Sequence, residues 1–244
     1  MATNEKHTSV WLIIPQTNLH VGNESIVNFS VIDKAIQRDV TTGLPCINSS
    51  SLKGAIKEYL ASKGCENIKD LFGSTKKDKN NSQKGSALFF DATLLAIPEQ
   101  KKDGDSPYQL VYSEKIIKDF LAKAEVLGVE KAVVDTSNWE GKDKDCFRFL
   151  KLVNQVVDTS KWEQKDKGFE ELCSDDNLPI IARNCLENGE STNLWYEQVL
   201  PAQSVLATII QTNKADDLKD LNGAIVQIGA NATIGYGYCK FIKL

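Results

Sequence analysis

The sequence predicts an α+β fold: a ferredoxin-like, split βαβ sheet decorated by insertions. Strand–helix–strand patterns recur at both ends of the chain, and a glycine-marked hairpin lies between them. The chain has 244 residues, 41% hydrophobic and 25% charged, enough for one substantial domain, expected to span 1–244, or for two small ones, with an independent core.

The elements follow in order. TSVWLII (8–14) is β-branched and aromatic and reads as the first strand. A loop from 15 to about 50 has little helical periodicity, and loops of that length are usually functional or disordered. From Ser51, the residues Leu52, Ala55, Ile56, Tyr59 and Leu60 recur at helical spacing. Ser49 to Ser51 offer N-caps, and Gly64 stands where the helix should stop. Lys53 and Lys57 share the opposite face. STKKDKNNSQKGS (74–86) is polar and of low complexity, and SALFFDATLLAI (86–97) reads as a strand. A second helix is expected over 114–127, with Ile117, Phe120, Leu121 and Ala124 inward and Gly128 as its stop.

VVDTSNWEGKDK (133–144) and VVDTSKWEQKDK (156–167) match at 10 of 12 positions. Two copies fall short of the roughly three that a solenoid needs, so they read as a duplication in a polar surface insertion, about 135–176. Between them, Phe147, Leu150 and Val157 are expected to line one helix face. Asn188-Gly189 predicts a hairpin within 179–210. The end reads as a strand (205–210), a short helix near 215–221, a strand (224–229), a glycine-rich turn and a last strand (236–242).

Composition excludes several functions. No stretch approaches the roughly 18 apolar residues of a membrane helix. The start, MATNEKHTSV, has no apolar signal core, so a cytoplasmic protein is expected. Six cysteines without a CxxC pair argue against zinc ribbons, thioredoxin chemistry and a disulfide framework. Two histidines, His7 and His20, exclude a multi-histidine metal site. The net charge of -4 counts against nucleic-acid binding, but it is uneven. Residues 135–176 hold 11 acidic and 7 basic side chains, while 53–84 hold 8 basic and 4 acidic. A basic stretch in a neutral body suits a polyanion partner, or is an ordinary solvated surface.

Candidate chemistry sits in the loops. In GLPCINSSSLKGAI (43–56) the free N–H groups of a helix start, at Ser50 and its neighbours, lie beside Lys53, which suits phosphate, although an ordinary capped helix is the commoner case. GANATIGYGY (229–238) places Gly235 and Gly237 where another backbone can approach closely, or simply marks a turn. Asp33 lies in the long loop, near Lys34 and Arg38 and downstream of His20. A carboxylate there can bind Mg²⁺ or take the proton of a ribose 2′-OH, though most loop aspartates are solvated or capping.

LHVGN (19–23), IDKAIQRDVTTGLPCINSSSLKGAI (32–56), DLFGS (70–74) and GANATIGYGYCKF (229–241) together resemble the RAMP superfamily of CRISPR effector proteins. FFDATLLAIP (89–98), LPIIARNCLENG (178–189) and LWYEQVLPAQSVL (194–206) are similar to the type III-B (Cmr) backbone subunit, the fourth by the family's usual count. The resemblance implies an RRM-like core and copies stacked as a filament on a CRISPR guide RNA beside other Cmr subunits. It also implies a β-hairpin thumb, expected about 183–195, that disrupts the guide–target duplex. Asp33 falls on the family's catalytic aspartate and supports cleavage of target RNA with a divalent ion, Mg²⁺ or Mn²⁺. His20 falls on its loop histidine, a second catalytic candidate, and Glu197 is a further contributor. Lys34, Arg38, Ser50, Lys53, Gly235 and Gly237 are the expected RNA contacts. Three alternatives stay open: a catalytically silent backbone subunit, a type III-A backbone subunit, and a stand-alone CRISPR RNA-processing nuclease.

Overall fold

A computed structural model describes residues 6–22, 32–74, 82–130 and 144–244. Its centre is strand β1 (His7–Pro15), where every residue except His7 is buried. Trp11 and Ile13 enter one core, while Val10, Leu12 and Ile14 enter the other. A strand covered on both faces reads as a continuous apolar run, which is what the sequence shows. Each fully buried large side chain here contributes about 1.5–3 kcal/mol.

After β2 (Cys46–Ile47), helix α1 (Ser49–Ser62) buries Leu52, Ile56 and Leu60. Its first N–H groups are not capped by the serines; the Asp91 carboxylate accepts the Ser49 N–H at 2.6 Å. Gly64, at φ +76°, ends the helix as expected. A short α2 (Ile68–Phe72) and β3 (Leu88–Phe89) lead to β4 (Ala92–Gln100) and β5 (Tyr108–Tyr112). α3 (Glu114–Val126) then buries Ile116, Ile117, Phe120, Leu121 and Ala124.

Most of the first VVDTS copy lies outside the described residues. The helix after it, α4 (Lys144–Val153), turns Cys146, Phe149 and Val153 inward, not the face expected from sequence. Phe147 is exposed, and Val157 lies past the helix end, although Leu150 and Val157 still touch the core edge. The second copy does more than decorate: β6 (Trp162–Gln164) pairs in parallel with β5, and Trp162 packs on Tyr112.

A short α5 (Phe169–Leu172) precedes a separate two-stranded hairpin, β7 (Ile180–Glu187) and β8 (Glu190–Gln198). Asn188 (φ 53°) and Gly189 (φ 87°) form its turn, both in the left-handed region that such a two-residue loop demands. β9 (Val205–Thr212), β10 (Ile225–Gln227) and β11 (Tyr238–Lys243) complete the main sheet, in the order β10-β11-β1-β9-β4-β5-β6. The helix expected near 215–221 is only a 3₁₀ turn at Lys219–Leu221. The result is a large mixed sheet with few helices, and α1 and α3 serve its two separate cores.

Candidate functional site

Residues 32–38 thread between the loop after β1 and the base of the hairpin. Isolated bridges join Gly22 to Ile36, Lys34 to Glu197 and Arg38 to Pro45. Asp33 and Lys34 both donate backbone N–H groups to the Tyr196 carbonyl at 3.1 Å. The Asp33 side chain closes the contact, its Oδ2 accepting the Tyr196 N–H at 2.7 Å. Asp33 is exposed, so its carboxylate is fixed in direction yet open to solvent.

Glu197 is the buried anion of this corner, with a side chain only 1% exposed. It accepts from Trp195 Nε1 at 2.7 Å, Lys34 Nζ at 3.1 Å and Asn231 Nδ2 at 2.6 Å. Burial pushes its pKa up, but these three donors and the nearby His20 outweigh it and leave it below the ordinary carboxylate value. Lys34 Nζ also lies 5.1 Å from the Trp195 ring centre.

His20 is brought to the same corner but is 2% exposed. Its Nδ1 lies 2.7 Å from the Gln198 carbonyl, which only accepts, so Nδ1 carries the proton. Gln198 is itself a junction: its Oε1 accepts the Ile36 N–H, and its Nε2 donates to Asp175. Arg38 spends its guanidinium inside the fold, on Asp175, the Gly43 carbonyl and the Cys173 carbonyl. Burial raises the Asp175 pKa, and the Gln198 amide and Arg38 more than offset it, so Asp175 stays ionised below its usual range.

The glycine-rich turn closes over His20. Ala230 donates its N–H to the His20 carbonyl at 2.9 Å, and a Cβ on Gly229 would stand 2.3 Å from that oxygen. Gly237 (φ 77°) is equally constrained, since a Cβ there would meet the Ile228 carbonyl at 2.0 Å. Gly235 (φ 85°) faces open space. Ser50 and Lys53 border a different cleft, with Leu88, Phe89 and Phe90. They connect to the Asp33 segment through Gln37, whose side chain bonds the Asn48 N–H, Ser51 Oγ and the Gly22 carbonyl.

Sequence reasoning missed Gln37, Asp175, Gln198 and Asn231. Only the Gln37 neighbourhood carried a local signal; the others join segments far apart in the chain. Among the described residues no group of three or more histidine, cysteine, aspartate or glutamate side chains forms a metal cage. The donor set at Asp33 is one open carboxylate, which fits a divalent ion shared with a phosphate ligand rather than a resident one.

The RAMP superfamily model matches residues 13–240. The chain belongs to the RAMP superfamily. Among relatives, the CRISPR system Cmr endoribonuclease Cmr4 of Pyrococcus furiosus is 27% identical, over 92% of this chain and 91% of its own. The CRISPR system Cms endoribonuclease Csm3 of Streptococcus thermophilus is 30% identical over 48% of this chain and 58% of its own. Two solved structures share this fold. A type III-B Cmr-beta chain, in a complex bound to cognate target RNA, superposes with a TM-score of 0.71 at 19% identity, covering 97% of both chains. Oligomeric Cmr4 from Pyrococcus furiosus gives 0.69 at 22% identity, covering 98% of both.

Proposed function

We propose that this RAMP protein is a backbone subunit of a type III-B CRISPR effector that cuts base-paired target RNA. One observation carries the reading: an exposed aspartate, Asp33, is pinned by the Tyr196 N–H to the base of a free-standing hairpin. The full-length likeness to a Cmr endoribonuclease supports it.

In this reading β7–β8 is the thumb, with its tip at Asn188-Gly189, and it projects from a ferredoxin-like, RRM-like core. The polar insertion of about 135–176 belongs to the same domain; of its described residues, Trp162–Gln164 pair with β5 and Asp175 bonds Arg38. Copies of the chain stack along a guide RNA in the cytoplasm, beside other Cmr subunits. Guide pairing supplies sequence specificity, so the protein needs only backbone contacts. Lys34, Lys53, Ser50 and the Gly235–Gly237 turn serve those contacts, and Arg38 holds the loop that presents them.

The chemistry follows from ribose. Asp33 accepts the proton of a target 2′-OH, and that oxygen attacks the adjacent phosphorus. The bond to the 5′-oxygen breaks, and water returns a proton to the leaving oxygen. The products are a 2′,3′-cyclic phosphate and a 5′-hydroxyl. Asp33 would hold a divalent ion, Mg²⁺ or Mn²⁺, and that ion would supply neutralisation of phosphate charge. His20, buried against Gln198, acts on this site by holding the hairpin base in place.

The test is assembly of the purified chain on a guide-length RNA with its partner subunits, followed by addition of labelled complementary target. Fragments at a regular spacing are expected. A complex that binds target and leaves it whole favours the silent, structural subunit instead.

A further inference from the structure

Arg183 lies on β7. It stands directly opposite Trp195 across the hairpin, with Cζ 6.0 Å from the ring centre. Lys34 reaches the same indole from the adjoining segment, with Nζ at 5.1 Å. The three side chains therefore cross β7, β8 and the Asp33 segment side by side.

The indole between them is held. Its Nε1 donates to Glu197 Oε1 at 2.7 Å, and Glu197 is buried and bound in turn by Lys34 and Asn231. The ring thus sets the placement of both cations. Their charges are not equally committed. Lys34 is paired with Glu197, whereas Arg183 makes no ion pair among the described residues.

Charge balance gives Arg183 its purpose. Asp33 and Glu197 place two carboxylates in this corner, and Lys34 answers only one of them. An RNA phosphate approaching Asp33 would meet excess negative charge. Arg183, 6.0 Å from the ring that Lys34 also contacts, supplies the second positive charge. A guanidinium also offers a planar fork matched to two phosphate oxygens, and contact with an aromatic face limits the freedom it loses on binding.

We infer that Arg183 and Lys34, spaced by Trp195, bind phosphates of the RNA strand next to Asp33, with Arg183 the stronger contact. This rests on the reading of the hairpin as an RNA-contacting thumb.

The experiment compares complexes assembled with the wild-type chain, Arg183→Ala, Arg183→Lys and Asp33→Ala. Binding is measured on a target carrying 2′-deoxy sugars, which cannot be cut, across a salt series; cutting is measured on the all-ribose target. Arg183→Ala is expected to weaken binding about tenfold, the scale of one hydrogen bond to a charged group. The slope of log affinity against log salt should fall by about 0.7–0.9, the loss of one phosphate contact. Arg183→Lys should recover the slope but only part of the affinity, because it lacks the fork. Wild-type affinity and slope in Arg183→Ala, with cutting lost only in Asp33→Ala, would overturn this inference and leave the proposed function standing. A wild-type complex that neither binds nor cuts target would overturn both.

Discussion

The Glu197 carboxylate accepts the Asn231 side-chain amide at 2.6 Å and so ties the base of the hairpin to the glycine-rich turn. The same carboxylate holds Trp195 and Lys34, so one buried charge sets the relative placement of three segments. Burial alone would favour its neutral form, and the donors reverse that preference.

A pH signature follows. The folded pKa of Glu197 lies below the ordinary value of 4.5, so its ionised form stabilises the fold. That contribution is fully present above the unfolded value and is lost as pH falls through the lowered folded one. Glu197→Gln should cost about 1–3 kcal/mol at pH 7 by leaving donors poorly paired. Urea unfolding at a series of pH values should show the gap between wild type and variant closing in acid. Parallel curves down through acid pH would show that Glu197 is not the linked group.

His20 should behave as a strut. Removing its ring leaves the buried Gln198 carbonyl without a donor, at a cost of about 1–3 kcal/mol. His20→Ala should lower the melting temperature and weaken target binding together with cutting. A variant that melts like wild type yet has lost cutting alone would mean the imidazole takes part in the chemistry.

The two turn glycines should separate cleanly. Gly237→Ala drives a Cβ into the Ile228 carbonyl at 2.0 Å and is expected to unfold or badly destabilise the chain. Gly235→Ala meets nothing within 4 Å and pays only for a left-handed backbone, about 1–2 kcal/mol. If RNA passes over this turn, Gly235→Ala should remain folded and lose affinity for guide RNA. Circular dichroism and filter binding on both variants check the contrast.

Legibility in the sequence followed the range of the interaction. Local patterns were readable: Ile117, Phe120, Leu121 and Ala124 fall on one helical face, and all four are buried. Asn188-Gly189 marked its turn because both positions need a positive φ. α4 misled because it carries two apolar stripes, and the one through Phe147 and Val157 outruns a helix that stops at Val153. The parallel pairing of β6 with β5 left no local trace. Within the candidate site, Asp33, His20 and Lys34 were visible as residue types in a loop. Their partners were not: Arg38 meets Asp175 and Asp33 meets Tyr196 across more than a hundred residues of chain. The capping of α1 by Asp91 instead of its own serines is of the same kind.

The central claim is that the Asp33 carboxylate, presented at the hairpin base, accepts the proton in target-strand cleavage. Its most direct test is the single-turnover cutting rate of complexes assembled with Asp33→Ala or Asp33→Asn against wild type, with guide and target binding measured on the same samples. Asp33→Asn, which keeps an acceptor for the Tyr196 N–H, is expected to assemble and bind as wild type with a cutting rate lower by about 10²–10⁴, the range of general base catalysis, and Asp33→Ala is expected to cut no faster. Regularly spaced fragments appearing at the wild-type rate in either variant would contradict it.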